Sequence, residues 1–132
     1  MARHEGSSGA VSMSTVAVAM ALLLLLGFEH GDAATTFVVG DSNGWNLNLG
    51  TEGWPNGKVF RAGDILRFNY NPTVHNVVAV DEGGYRSCIA PRGAKVFNSG
   101  KDEIMLSRGQ NFFICTTPGH CQAGMKIAIN SL

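Results

Sequence analysis

The segment Cys115-Thr-Thr-Pro-Gly-His120-Cys-Gln-Ala-Gly-Met125 sets a thiol, an imidazole and a thioether in succession, with four residues in each gap. A second imidazole, His75, stands forty residues upstream in the context Asn71-Pro-Thr-Val-His-Asn76. Cys and two His in a trigonal set, with a weak axial Met, is the donor set of a mononuclear copper electron-transfer site. Zinc makes little use of thioether sulfur, so Met125 argues against it. A mixture of imidazole and soft sulfur holds either oxidation state of copper with little rearrangement, as fast one-electron transfer requires. The expected metal ligands are therefore His75, Cys115, His120 and Met125, around one copper ion cycling between Cu(I) and Cu(II).

Outward from this segment, the chain divides in two. Of its 132 residues, the first 33 read as a leader. Arg3 is followed by the uncharged run Val16–Phe28, thirteen residues long, and then by Gly31-Asp-Ala33. That run has the length of a signal-peptide core and is too short for a comfortable membrane span. The small residues at 31 and 33 suit signal-peptidase cleavage after Ala33. Residues 1–33 are thus expected to be removed, leaving 34–132 as a single secreted domain in the extracellular space or cell wall. The chain shows no polar spacer and hydrophobic tail after Asn130, so no lipid anchor is expected.

Removal of the leader sharpens the candidate site. His4 and His30 leave with it, so His75 and His120 are the only histidines of the domain. Cys88, Cys115 and Cys121 all remain, and an odd count in a secreted protein leaves one thiol over after one disulfide. If His120 turns toward a metal, its neighbour Cys121 tends to point away and is free to pair with Cys88. That reading favours Cys88–Cys121 over the other two pairings and leaves Cys115 as the metal thiolate. A Cys/His nucleophile–base pair has no evident Asn or Asp partner and would leave Met125 idle. A zinc site would need a fourth thiolate or hard ligand, in competition with the disulfide. No catalytic residues are assigned, and the domain is not expected to be an enzyme.

Residues 34–132 hold nine Lys/Arg and seven Asp/Glu, a net charge of +2. The cations are scattered and do not interleave with aromatics, which argues against nucleic acid as a partner. Beyond residue 35, short strand-like runs alternate with Gly, Pro, Asn and Asp clusters. The runs are 36–39, 64–70, 76–80, 95–97, 103–106, 110–115 and 124–130. Leu66, Phe68 and Tyr70 fall on one face of their strand, and Met125, Ile127 and Ile129 on one face of theirs. Met105 is assigned to the core. No sustained helical period occurs; only a weak helical turn is expected near Tyr85–Cys88. Strands about every ten residues indicate an all-β sandwich or barrel.

Taken together, Phe37-Val-Val-Gly40, Gly44-Trp45, Phe60-Arg-Ala-Gly-Asp64, Phe68-Asn-Tyr-Asn-Pro72, His75-Asn-Val-Val78 and the 115–126 segment resemble the phytocyanin branch of the cupredoxins, in particular the plantacyanins. The resemblance covers Thr36–Leu132. It implies a cupredoxin-like Greek-key β-sandwich of seven to eight strands in two sheets, with copper near one end. It also implies ligands at His75, Cys115, His120 and Met125, a Cys88–Cys121 disulfide, and a monomer that exchanges electrons with an unidentified protein or small molecule. Met125 separates the chain from the stellacyanin branch, which carries Gln at the axial position. Asn76 is a candidate to hydrogen-bond the Cys115 sulfur. His120, beside Pro118 and Gly119, is the expected exposed edge for electron passage. The alternative function is extracellular signalling or cell-wall interaction in reproductive tissue, with copper mainly structural.

Overall fold

The structure is a computed structural model that describes residues 33–47 and 50–132. The expected leader, apart from Ala33, lies outside the described residues. Among the described residues no helix is long and apolar enough to cross a membrane.

Among the described residues seven strands form two sheets: β1 Thr36–Val38, β2 Ile65–Asn69, β3 Val77–Val80, β4 Val96–Phe97, β5 Lys101–Met105, β6 Gly109–Ile114 and β7 Lys126–Ser131. One sheet has the order β1-β2-β5, with β1 parallel and β5 antiparallel to β2. The other has the order β4-β3-β6-β7, antiparallel throughout. The chain changes sheets after β2, returns at β5 and crosses again at β6, so strands distant in sequence become neighbours in the manner of a Greek key.

Period-two patterning builds the interior. In β2, Leu66 and Phe68 are buried between half-buried Ile65, Arg67 and Asn69. In β7, Ile127 and Ile129 are buried and Ala128 and Asn130 turn outward. These side chains meet Val39, Trp45, Phe60, Val77, Leu106 and Phe113 in one core, which also includes Cys115 and Met125. The aromatic rings pack edge-on: Phe68 lies 5.2 Å from Trp45 at 85° and 5.4 Å from Phe113 at 60°. Such contacts favour the positive ring edge against the negative ring face.

β3 is buried on both faces. Val77 faces the core, while Val78 faces a second cluster with Ile114 and Cys121. Covering that side is a short helix, α1 (Glu82–Ser87), longer and earlier than the weak turn expected at 85–88. Asp81 caps it by accepting the Gly84 N–H at 2.7 Å, and Glu82 pairs with Arg86 one turn on. Gly84 is needed for close approach, since a Cβ there would come within 2.8 Å of the Val80 Cβ. Two glycines in six residues hide such a helix from propensity reasoning.

Met105 is a correction. It is 68% exposed, because alternation along β5 puts it outward with Lys101 and Glu103, while Asp102 turns inward. The buried Asp102 carboxylate accepts the Tyr70 hydroxyl and, at 2.6 Å, the Ser99 hydroxyl. Burial, and then the hydrogen bond to Asp102, push the Tyr70 phenol up to about 12. An unfolded phenol loses its proton near pH 10. Between about pH 10 and 12 the unfolded chain therefore binds fewer protons than the folded one, and stability falls as pH rises. Urea unfolding at intervals from pH 9 to 12 should show this decline, with a shallower slope in Tyr70→Phe. Equal slopes in the two proteins would remove Tyr70 from the linkage.

Candidate metal centre

Three side chains converge at one end of the sandwich. The chain reverses between β6 and β7 through residues 115–125, and this reversal is folded tightly by its own backbone. The His120 N–H donates to the Thr117 carbonyl at 3.0 Å, the Ala123 N–H to Gly119 and His120 at 3.1 Å, and the Gly124 N–H to Cys121 at 2.9 Å. Pro118 and Gly119 lie at the exposed tip. Cys115 follows β6 directly and is fully buried, whereas His75 and His120 are half-buried.

His75 Nδ1 and His120 Nδ1 lie 3.1 Å apart, and Cys115 Sγ lies 3.8 and 3.7 Å from them. Imidazole and thiolate bonds of about 2.0–2.3 Å around an ion in the donor plane would set these atoms about 3.5–3.8 Å apart. The triangle therefore fits one first-row metal ion with only a slight opening of the two rings. Among the described residues it is the one group of three or more His, Cys, Asp or Glu side chains placed to hold a metal. The Cys115 thiol is the free cysteine, because Cys88 and Cys121 are joined in a disulfide.

Met125 is fully buried in the same core cluster as Cys115. Its N–H donates to the His120 carbonyl at 3.0 Å, and its carbonyl accepts the Cys115 N–H at 3.1 Å. Its main chain is thereby tied to both neighbours in the expected ligand set. The donor chemistry suits copper: two imidazoles and one thiolate, with a thioether in the same buried cluster as the thiolate and no carboxylate in the triangle. Burial lowers the His75 pKa, and the neighbouring His120 lowers it further. The imidazole that a metal would bind is thus more readily neutral.

The Asn76 side chain is engaged with Thr116. Its Nδ2 donates to Thr116 Oγ1 at 2.7 Å, and its Oδ1 accepts the Thr116 N–H at 2.8 Å. The side chain therefore fastens the His75 strand to the residue after Cys115. A neighbouring bond was missed altogether: Thr117 Oγ1 donates to the Val74 carbonyl at 2.6 Å. Threonine in a loop carries no sequence signal for a partner 43 residues away.

A two-sheet Greek-key sandwich holding His, Cys and His at one end is the arrangement of a cupredoxin. Comparison with known proteins agrees. Residues 45–125 match the family model described as a plastocyanin-like domain. The basic blue protein of Cucumis sativus is 62% identical over 96 residues, covering 73% of this chain and 98% of the relative. Chemocyanin of Lilium longiflorum is 51% identical over 124 residues, covering 94% and 96% of the two chains. The solved structure of cucumber basic protein, a blue copper protein, superimposes with a TM-score of 0.72 at 60% identity, covering 74% of this chain and all of that one. The chain belongs to the plastocyanin-like family, in the phytocyanin branch of the cupredoxins that includes the plant basic blue proteins.

Proposed function

We propose that this protein is a secreted mononuclear blue-copper protein that carries one electron at a time. The carrying observation is the triangle of His75, Cys115 and His120 donor atoms, with buried Met125 tied to two of its members. His75, Cys115, His120 and Met125 would hold the copper. When bound, copper supplies the Cu(II)/Cu(I) couple. Kinship with proteins named for their blue copper supports the same cofactor here.

The remaining work falls to the chain. Buried Cys115 keeps its sulfur from water and from outside oxidants. The imidazoles are already gathered within bonding range of a single point, so little movement accompanies a change of charge. His75 and His120 keep exposed edges beside the exposed residues Val74, Pro118 and Gly119, where a partner can approach. The disulfide is consistent with an oxidising compartment, as is the expected leader over residues 1–33. The reading is of an electron carrier that performs no chemistry of its own on a substrate.

Titration with Cu(II) should end at one ion per chain and develop an intense visible thiolate-to-copper band. Saturation without colour would rule out the thiolate site. Met125→Gln should keep the colour and lower the reduction potential. A thioether favours Cu(I), and a harder amide oxygen favours Cu(II). Voltammetry of both proteins at one pH decides this, and an equal or higher potential in the variant would place Met125 in the core packing alone.

A second reading is extracellular signalling or cell-wall interaction with copper mainly structural. The two readings separate on a copper-free Cys115→Ser protein applied to plant tissue: retained biological response favours signalling, and loss favours redox function.

A further inference from the structure

The main chain around His75 is held from three directions, each independent of any metal. The His75 N–H donates to the Asn71 carbonyl at 3.0 Å. The Val74 carbonyl, the other half of that peptide plane, accepts the Thr117 hydroxyl at 2.6 Å. On the far side, the Asn76 carbonyl accepts the indole N–H of Trp45 at 2.8 Å. The carbonyls of the residues before and after His75 are thus taken by side chains from remote parts of the sequence, 43 and 31 residues away.

Trp45 is itself firmly placed. It is 1% exposed and packs edge-on against Phe68. Its own N–H donates to the Asn69 carbonyl at 2.9 Å. Gly44 permits this approach: its φ is +70°, and a Cβ there would lie 2.5 Å from the Asn69 oxygen. The indole therefore reaches Asn76 from a fixed base in the core. Thr117 reaches Val74 from the turn that carries His120, so its bond also sets one histidine-bearing loop against the other.

We propose that Trp45 and Thr117 are positioning residues for His75, fixing its imidazole in the metal-free protein at the place it occupies when metal binds. The inference rests on the reading of His75 as a copper ligand. Neither residue would touch the metal. Their action is to limit the backbone on each side of His75, so that the imidazole is not reorganised by metal loading or by a change of metal charge.

The test compares wild type with Thr117→Val, Thr117→Ser and Trp45→Phe, and uses Trp54→Phe as control. Thr117→Val keeps the shape and removes the donor, and Thr117→Ser restores it. Trp54 donates its indole N–H to the Asp41 carboxylate at 3.2 Å on the surface, so its loss should leave His75 unmoved. The first readout is hydrogen exchange at the His75 amide in the metal-free proteins, taken relative to the Ile127 amide so that global destabilisation cancels. Protection should fall tenfold or more in Thr117→Val and Trp45→Phe, and stay at the wild-type value in Thr117→Ser and Trp54→Phe. The second readout is the copper hyperfine splitting of the Cu(II)-loaded proteins by electron paramagnetic resonance, which should change in the same two variants only. Wild-type exchange in either Thr117→Val or Trp45→Phe overturns the proposal. If Trp45→Phe does not fold, the Thr117→Val and Thr117→Ser pair decides. A wild-type protein that takes up no copper would instead refute the ligand reading, while the exchange result would still judge the pinning of His75.

Discussion

Cys115→Ser is expected to abolish the visible colour of the copper-loaded protein and to weaken its hold on Cu(I) severely. The intense absorption of such a site arises from electron transfer out of a thiolate sulfur, and a serine hydroxyl has no equivalent at visible energies. The hydroxyl is also a hard donor that stays protonated at neutral pH, whereas a metal-bound thiol loses its proton outright. No other thiol can substitute, because Cys88 and Cys121 are committed to each other. The fold should survive. Cys115 is a small buried side chain, and the strands around it are held by their own ladder. Absorption spectra with Cu(II), and far-ultraviolet circular dichroism of the metal-free variant, measure the two effects separately. A variant that remains blue would show that the thiolate lies elsewhere.

Replacing Cys88 and Cys121 by Ser should produce the largest loss of stability. The bridge spans a sequence separation of 33 residues. Closing a loop of that size restricts the unfolded chain by roughly 3–4 kcal/mol in the chain-entropy account. For a domain of this size that corresponds to a fall in Tm on the order of 15–25 °C. Two local features add to the expectation. Cys88 ends α1 with a φ of +60°, a conformation uncommon outside glycine, so the bond helps to maintain a backbone that would otherwise relax. Cys121 follows His120, so release of the bridge also loosens one side of the candidate metal centre. The double variant should therefore unfold earlier in the metal-free form and recover part of the loss when copper binds. Thermal scans with and without Cu(II) test both statements. An unchanged Tm in the metal-free variant would mean that packing around Val78 and Ile114, not the bridge, holds this side of the sandwich.

How much could be read beforehand depended on the range of the interaction. Leu66 and Phe68 in β2, and Ile127 and Ile129 in β7, declare their faces through alternation alone, because successive side chains on a strand point to opposite sides. Met105 misled for the same reason in reverse. It lies in Ile104-Met-Leu106, where three apolar residues in a row leave the phase open, and only the pairing of β5 with β2 turns it outward. The helix at 82–87 is too short to show a period, and its place follows from the surface of β3 that it covers.

By itself the sequence marked out a candidate donor set. Cys115, His120 and Met125 lie within eleven consecutive residues, and their chemistry and spacing hold whatever surrounds them. Elimination among the two histidines and three cysteines of residues 34–132 added His75 and favoured the Cys88–Cys121 pairing. Only the tertiary structure decided how His75 is held. Its neighbours are bonded to Trp45, Asn71, Thr116 and Thr117, and these partners are assigned by the register of strands and turns that are remote in sequence. A hydrogen bond depends on tenths of an ångström and on direction, and no residue type announces it. Hydrophobic alternation sets which face of a strand is buried, but the position of one strand end against another follows from the packing of the whole sandwich.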